Sequence, residues 1–211
     1  YMIQIFQVGV PAGIQSTVIN FSNVLLQSSV NSFGSVAMAG YTAANNILGF
    51  LYQSINSVTQ ACMSFTSQNY GAGDFKRCKK VYRLCMIFSV IFCGLLSGIF
   101  VLGRDFFLRL YTTDPNVLTF AVQRLLIVTT LELLTSTYEI SGGAMRGFGH
   151  SLTPALITVV GSCVLRLIWI NTVCRAVHEF WVVMIIYPIS WVLTGTVMIT
   201  AYLLLRRKLM R

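Results

Sequence analysis

Residues 180–205 read FWVVMIIYPISWVLTGTVMITAYLLL, twenty-six positions without one Asp, Glu, Lys or Arg. A helix rises roughly 1.5 Å per residue, so about 20 apolar residues cross a bilayer core. This stretch is therefore read as a membrane span, closed at one end by Arg206, Arg207 and Lys208. It is internal and has no cleavage-like flank, so it is not a secretion signal. Residues 84–103, LCMIFSVIFCGLLSGIFVLG, make a second charge-free run of 20. Residues 1–73 carry no charged side chain at all and are long enough for two crossings. Their break is read at Phe33-Gly34-Ser35, after Asn31 and Ser32, a composition that favours a turn.

These anchors define an all-α, polytopic membrane protein. Six transmembrane helices are expected at about 8–32, 36–68, 81–103, 117–145, 153–175 and 180–205, forming a single lobe over residues 1–211. Helix four follows the turn signal Thr113-Asp114-Pro115-Asn116. Helix five carries Pro154 in its first turn, where the missing N–H is not needed. Helix two exceeds a perpendicular span and is expected to tilt, bend or project. Composition points the same way. Of 211 residues 55% are hydrophobic and 10% charged, where a soluble domain carries about 25% charged. Mean hydropathy is +0.73. That excludes a water-soluble enzyme, and the wealth of aromatic and aliphatic side chains excludes disorder. The six cysteines form no C-x-x-C pair, and most lie in apolar runs, so neither a disulfide framework nor a zinc site is expected. His150 and His178 stand in loops without a second ligand. No metal, no cofactor and no catalytic triad is expected, hence no enzyme.

A net charge of +9 suggests nucleic acid until its placement is examined. Lys76, Arg77, Lys79, Lys80 and Arg83 lie between helices two and three, Arg146 between four and five, and Arg206, Arg207, Lys208 and Arg211 after six. All ten fall on one side of the membrane. The opposite side has only Arg104, Arg109 and Arg175. The positive-inside rule puts the ten-cation side and both termini in the cytoplasm. The cations serve topology, and no nucleic-acid partner is expected. Cys78, amid five of these cations, is expected to be reachable only from the cytoplasm.

Polar groups inside the spans are the candidates for function. Asn20, Asn23, Gln27 and Asn31 share one face of helix one, and Gln53, Asn56 and Gln60 share one face of helix two. A side-chain amide in lipid leaves its donors and acceptors unpaired, at several kcal/mol. Both stripes must face protein or water. Interhelical hydrogen bonding and the wall of an aqueous cavity are the two readings. Glu132 and Glu139 lie on one face of helix four with Thr135 between them. An intramembrane carboxylate commonly marks an ion, proton or substrate path, and its structural alternative is a buried ion pair. Arg166 on the antiparallel helix five lies at the depth of Glu132 and is the expected partner. Arg124, nearer the outer end, is read as snorkelling to the interface. Tyr41, Phe50, Tyr52 and Tyr138 suit packing or a cationic ligand.

The chain resembles the second half of a multidrug and toxic compound extrusion (MATE) transporter. The resemblance rests on an ordered set covering nearly the whole sequence: Val8-Gly9-Val10-Pro11-Ala12-Gly13-Ile14-Gln15, Asn31-Ser32-Phe33-Gly34 with Ala37-Met38-Ala39-Gly40-Tyr41, Gln68-Asn69-Tyr70-Gly71-Ala72-Gly73, Met145-Arg146-Gly147-Phe148-Gly149-His150-Ser151 with Pro154, and Arg166-Leu167-Ile168-Trp169-Ile170. The arginine in helix five resembles the second rather than the first lobe. The family implies twelve helices in two lobes and export of drugs or organic cations in exchange for protons or sodium, by alternating access in an inner membrane. It implies an N-terminal six-helix lobe, membrane lipid and a small-molecule drug as partners. Glu132, Glu139 and Thr135 would bind ion or substrate, and Asn20, Asn23, Gln27, Gln53, Asn56, Gln60 and Tyr138 would line the cavity. The sequence departs from the family in having no acid in helix one, and Thr135 stands where some members have an aspartate. Coupling in the first lobe is thus the alternative. A lipid-linked oligosaccharide flippase of the same superfamily would want more cavity cations than Arg124 and Arg166. A pore-forming or non-transporting six-helix subunit is the other alternative.

Overall fold

The computed structural model describes residues 2–209, and within 2–12 it describes the surroundings of residues 2, 6, 9 and 10 alone. Val8, Pro11 and Ala12 of the first matching segment, and Arg211 of the ten cations, lie outside what is described. Every regular element among the described residues is helical. Helices α1 (Met2–Asn31) and α2 (Ser35–Gly71) are separated by a turn at Gly34, whose φ of 93° suits a residue without Cβ. Helix α3 (Phe75–Leu102) starts where Asp74 accepts a hydrogen bond from the Arg77 amide at 2.9 Å. A short helix α4 (Arg104–Arg109), not foreseen in the sequence, follows and buries Leu108.

The next span is broken in the middle. Helix α5 (Pro115–Leu131) has Asp114 as its cap and Pro115 in its first turn. It tightens into a 3₁₀ turn at Glu132–Leu134 and resumes as α6 (Thr135–Gly147). The fifth span is interrupted as well. Helix α7 (Leu152–Thr158) loosens into a π-helical segment, Val159–Val164, before α8 (Leu165–Ala176). The last span, α9 (Phe180–Leu209), runs through Pro188. Four of these spans, Phe75–Leu102, Pro115–Gly147, Leu152–Ala176 and Phe180–Leu209, are both long and apolar enough to cross a membrane. Helices α1 and α2 also have the length, at 30 and 37 residues, and the Asn, Gln, Ser and Thr of α2 dilute its apolar surface. The expected six helices are thus roughly matched: all six spans have the length, and among the described residues four combine length with apolarity.

Helix α2 is the hub, packed on α3, α5 and α6, with α9 closing over α5 and α6. Helix α1 packs chiefly on the fifth span rather than on its sequence neighbour α2. Between lipid-soluble helices the hydrophobic effect gives no preference for association, so close backbone approach has to hold them. The α2–α6 seam does this through two glycines one turn apart. A Cβ at Gly143 would meet Thr59 Cγ2 at 2.8 Å, and one at Gly147 would meet the Met63 carbonyl oxygen at 2.8 Å. Ser89 and Ser136 share a 2.8 Å hydrogen bond between α3 and α6, and Tyr82 and Ser141 one of 3.0 Å. On the outer side of α3, Phe88, Ile91, Leu95, Ile99 and Leu102 are exposed as an apolar strip suited to lipid. Cys78 departs from expectation. It is buried, its thiol 3.7 Å from the Thr66 carbonyl oxygen, so it is not an accessible thiol despite its cationic neighbours.

Candidate functional site

Five spans leave a cavity of about 310 Å³ among them, lined from α1, α2, the broken fourth and fifth spans, and α9. Its position follows from the two irregular segments. The 3₁₀ turn places Glu132 in the wall, and the Thr135 hydroxyl donates back to the Glu132 carbonyl at 2.6 Å. Thr158, Ser162 and Arg166, in and around the π-helical segment, line the wall opposite. Interruptions of this kind re-aim side chains and recur at functional sites. Glu139 also lines the cavity, and the Tyr52 hydroxyl donates to its Oε1 at 3.4 Å. Tyr138 completes that end.

At the other end two guanidinium groups share an aromatic pair. The Tyr41 and Tyr187 hydroxyls are 3.0 Å apart. The Arg124 guanidinium lies 3.7 Å from the Tyr41 ring centre and 5.0 Å from that of Tyr187, and Arg166 lies 4.7 Å from Tyr187. Arg124 Nη2 donates to Asn45 Oδ1 at 3.0 Å, and Arg166 Nη1 donates to Asn23 Oδ1 at 3.2 Å. Arg124 does not snorkel. It is 2% exposed, because two tyrosine faces and an asparagine hold it inward.

Of the residues singled out in the sequence, Asn20, Asn23, Gln27, Glu132, Thr135, Tyr138, Glu139 and Arg166 meet at this one cavity. Gln53, Asn56 and Gln60 do not line it. The face that α2 turns to the cavity is Tyr41, Asn45, Leu48 and Tyr52, spaced four, three and four. Gln53 is one residue past Tyr52 and so about 100° around the helix, and Asn56 and Gln60 lie one and two turns beyond the cavity's end. Gln53 and Gln60 are exposed and Asn56 is half-buried. The expected Arg166–Glu132 ion pair is not formed either. Among the described residues, ion pairs within 4 Å are those of Arg77 with Asp74 and Arg104 with Asp105. Asn23 takes the Arg166 donor instead, although the charges of Arg124 and Arg166 both act on Glu132. Tyr187, Asn45 and Trp191 were not foreseen as site residues. The four-three-four spacing of Tyr41, Asn45, Leu48 and Tyr52 was the available signal for Asn45.

The chain is 28% identical over 158 residues to the probable multidrug resistance protein YoeA of Bacillus subtilis, covering 75% of this chain and 34% of that protein. It is 24% identical over 153 residues to the probable multidrug resistance protein NorM of Chromobacterium violaceum, covering 72% and 33%. The chain thus spans about a third of the length of these curated relatives. A crystal structure of MATE in the straight conformation superimposes with a TM-score of 0.90 at 16% identity, over 98% of this chain and 46% of that one, which shows a common fold. The MatE family model matches residues 11–171, and this multi-pass membrane chain belongs to the MatE family.

Proposed function

We propose that the chain is the second six-helix lobe of an exporter of drugs or organic cations, driven by protons or sodium ions through alternating access. The observation that carries this reading is the placement of Glu132 and Glu139 in one cavity wall without an ion-pair partner within 4 Å among the described residues. A carboxylate so placed is free to exchange a proton, a sodium ion or a cationic ligand. Tyr52 and Tyr138 beside Glu139 add ring faces on which an organic cation rests. Occupation of Glu139 by the coupling ion would compete with the cationic substrate for the same negative charge, and that competition couples their opposite movements. A second lobe, supplied by the rest of the protein, would rock against this one around the cavity. The ten cations on one side orient the lobe with both of its ends in the cytoplasm of a cell whose inner membrane it spans.

The test is efflux of ethidium by the full-length protein in proteoliposomes under an imposed proton or sodium gradient. Glu139→Gln keeps the shape and the Tyr52 hydrogen bond and removes the charge. It is expected to lower gradient-driven efflux by about tenfold or more, with monodisperse yield retained. Wild-type rates in Glu139→Gln would move the coupling site to the other lobe.

A further inference from the structure

We propose that the first turns of α3 and the last turn of α9 form a seat for the phosphate of an anionic phospholipid, held between Lys79 and Arg206. This goes beyond the export reading and does not depend on what is carried. Lys76, Lys79, Lys80 and Arg83 are spaced three, one and three, so all four fall within about 100° of arc on one face of α3. Like charges three and four residues apart on a helix repel one another. Lys76 also stands in the first turn, where the helix dipole disfavours a cation. The acid at this end, Asp74, is engaged by Arg77, through its amide at 2.9 Å and its Nε at 3.9 Å. Among the described residues none of the four, nor Arg206, has a carboxylate within 4 Å. Topology alone asks for cations near this end and not for their gathering on one face. The gathering calls for an anion from outside the lobe.

The second helix supplies the fork. Tyr82 of α3 and Tyr202 of α9 stack with ring centres 4.0 Å apart, which fixes the two helices side by side. Lys79 lies three residues before Tyr82 and Arg206 four after Tyr202, so both stand about one turn from the stack toward the charged end. They line one narrow cleft with Phe75, Phe148 and Leu209. The cleft is too tight for a headgroup, so the phosphate sits at its mouth, where Lys79 and Arg206 are half-buried. The Arg206 guanidinium is 5.8 Å from the Tyr202 ring centre, and its Nε is buried with no hydrogen-bond partner. A guanidinium presents parallel N–H groups to two phosphate oxygens, and a lysine beside it adds a point charge. The occupant is a lipid rather than a free phosphate because the cationic face of α3 runs on into exposed Ile87 and Ile91, 49% and 57% accessible. Charge followed by apolar surface along one helix face matches a headgroup followed by its acyl chain. Anionic lipids are drawn to such juxtamembrane cations, whereas the choline of a zwitterionic lipid is repelled.

Native mass spectrometry of the full-length protein, stripped of lipid in detergent and titrated with phosphatidylglycerol or with phosphatidylcholine of the same acyl chains, tests the seat. The first bound phosphatidylglycerol should be held about tenfold more tightly than phosphatidylcholine. In the double variant Lys79→Gln, Arg206→Gln that preference should fall to about twofold or less. Arg109→Gln with Arg175→Gln removes the same charge from the opposite end and should leave the preference at the wild-type value. If the first double variant is not monodisperse, Lys79→Gln alone decides, with a loss of about threefold expected. Equal binding of the two lipids by the wild type overturns the proposal, as does binding of neither. An unchanged preference in the folded Lys79 variants also overturns it. A loss in the Arg109, Arg175 control as large as in the Lys79, Arg206 pair shows diffuse charge in place of a seat and overturns it. Displacement of phosphatidylglycerol by an equal concentration of glycerol 3-phosphate overturns the lipid as occupant, because a free phosphate then suffices.

Discussion

A guanidinium at 2% exposure inside a bilayer-spanning lobe has to be held by something other than water, and Arg124 is held by ring faces. Cation–π contact strengthens as solvent is excluded, to about 2 kcal/mol or more for desolvated pairs. The Tyr41–Tyr187 hydroxyl contact keeps both rings in place. Tyr187→Phe retains the ring and breaks that contact, so its cost is expected at about 0.5–1.5 kcal/mol. Tyr187→Leu removes the face shared by Arg124 and Arg166 and should cost more. Apparent melting temperatures of the two variants in detergent, compared at one heating rate, check the order; equal values would remove the ring from the account of how these arginines are held. Glu132, Glu139 and Asn23 were legible in the sequence because a polar group in an apolar run has to be explained. The inward turn of Arg124 was not. A long side chain near a span end snorkels or turns inward according to its neighbours, and Tyr187 comes 63 positions later in the chain.

At the scale of elements, the α2–α6 seam is the tightest constraint on the cavity, since α2 carries Tyr41, Asn45 and Tyr52 and α6 carries Glu139. Gly143→Leu puts a branched side chain where a Cβ alone would already lie 2.8 Å from Thr59 Cγ2 and 3.1 Å from its carbonyl oxygen. Overpacking of this kind costs about 1–3 kcal/mol. Monodisperse yield of Gly143→Leu should fall, and a paired Thr59→Ala, which removes the side-chain half of the clash, should recover part of it; a single variant at wild-type yield would show that the helices can part there. Helix positions were readable from hydropathy and turn residues. The 3₁₀ turn at Glu132–Leu134 and the π-helical segment at Val159–Val164 were not. Each changes the hydrogen-bond register by a residue within a span whose composition is continuous, and tertiary contacts decide where. One such contact is Gly161, whose lack of a Cβ admits Thr194 of α9.

For the molecule as a whole, orientation is the property on which every mechanism depends. Because Cys78 is buried, a reporter thiol belongs at exposed Lys76. Lys76→Cys, in a full-length background with the native cysteines replaced, should react with a membrane-impermeant maleimide in inverted vesicles and not in intact cells. Labelling from outside would reverse the proposed topology.

The packing of α1 on the fifth span sets a schedule for assembly. Asn23 and its partner Arg166 are 143 residues apart in the chain. At roughly 5–20 residues per second of synthesis, Asn23 waits about 7–30 s for the arginine it will accept from. During that interval the first helix has left the ribosome with its amides unmet and its permanent neighbour not yet made. Something outside the native lobe has to shelter it: the insertion machinery, lipid headgroups, or a lobe of the same protein already in the membrane. Early polar helices with late partners are thus a demand on biogenesis. A cell that translates this chain faster shortens the wait, and with it the time for which that shelter has to last.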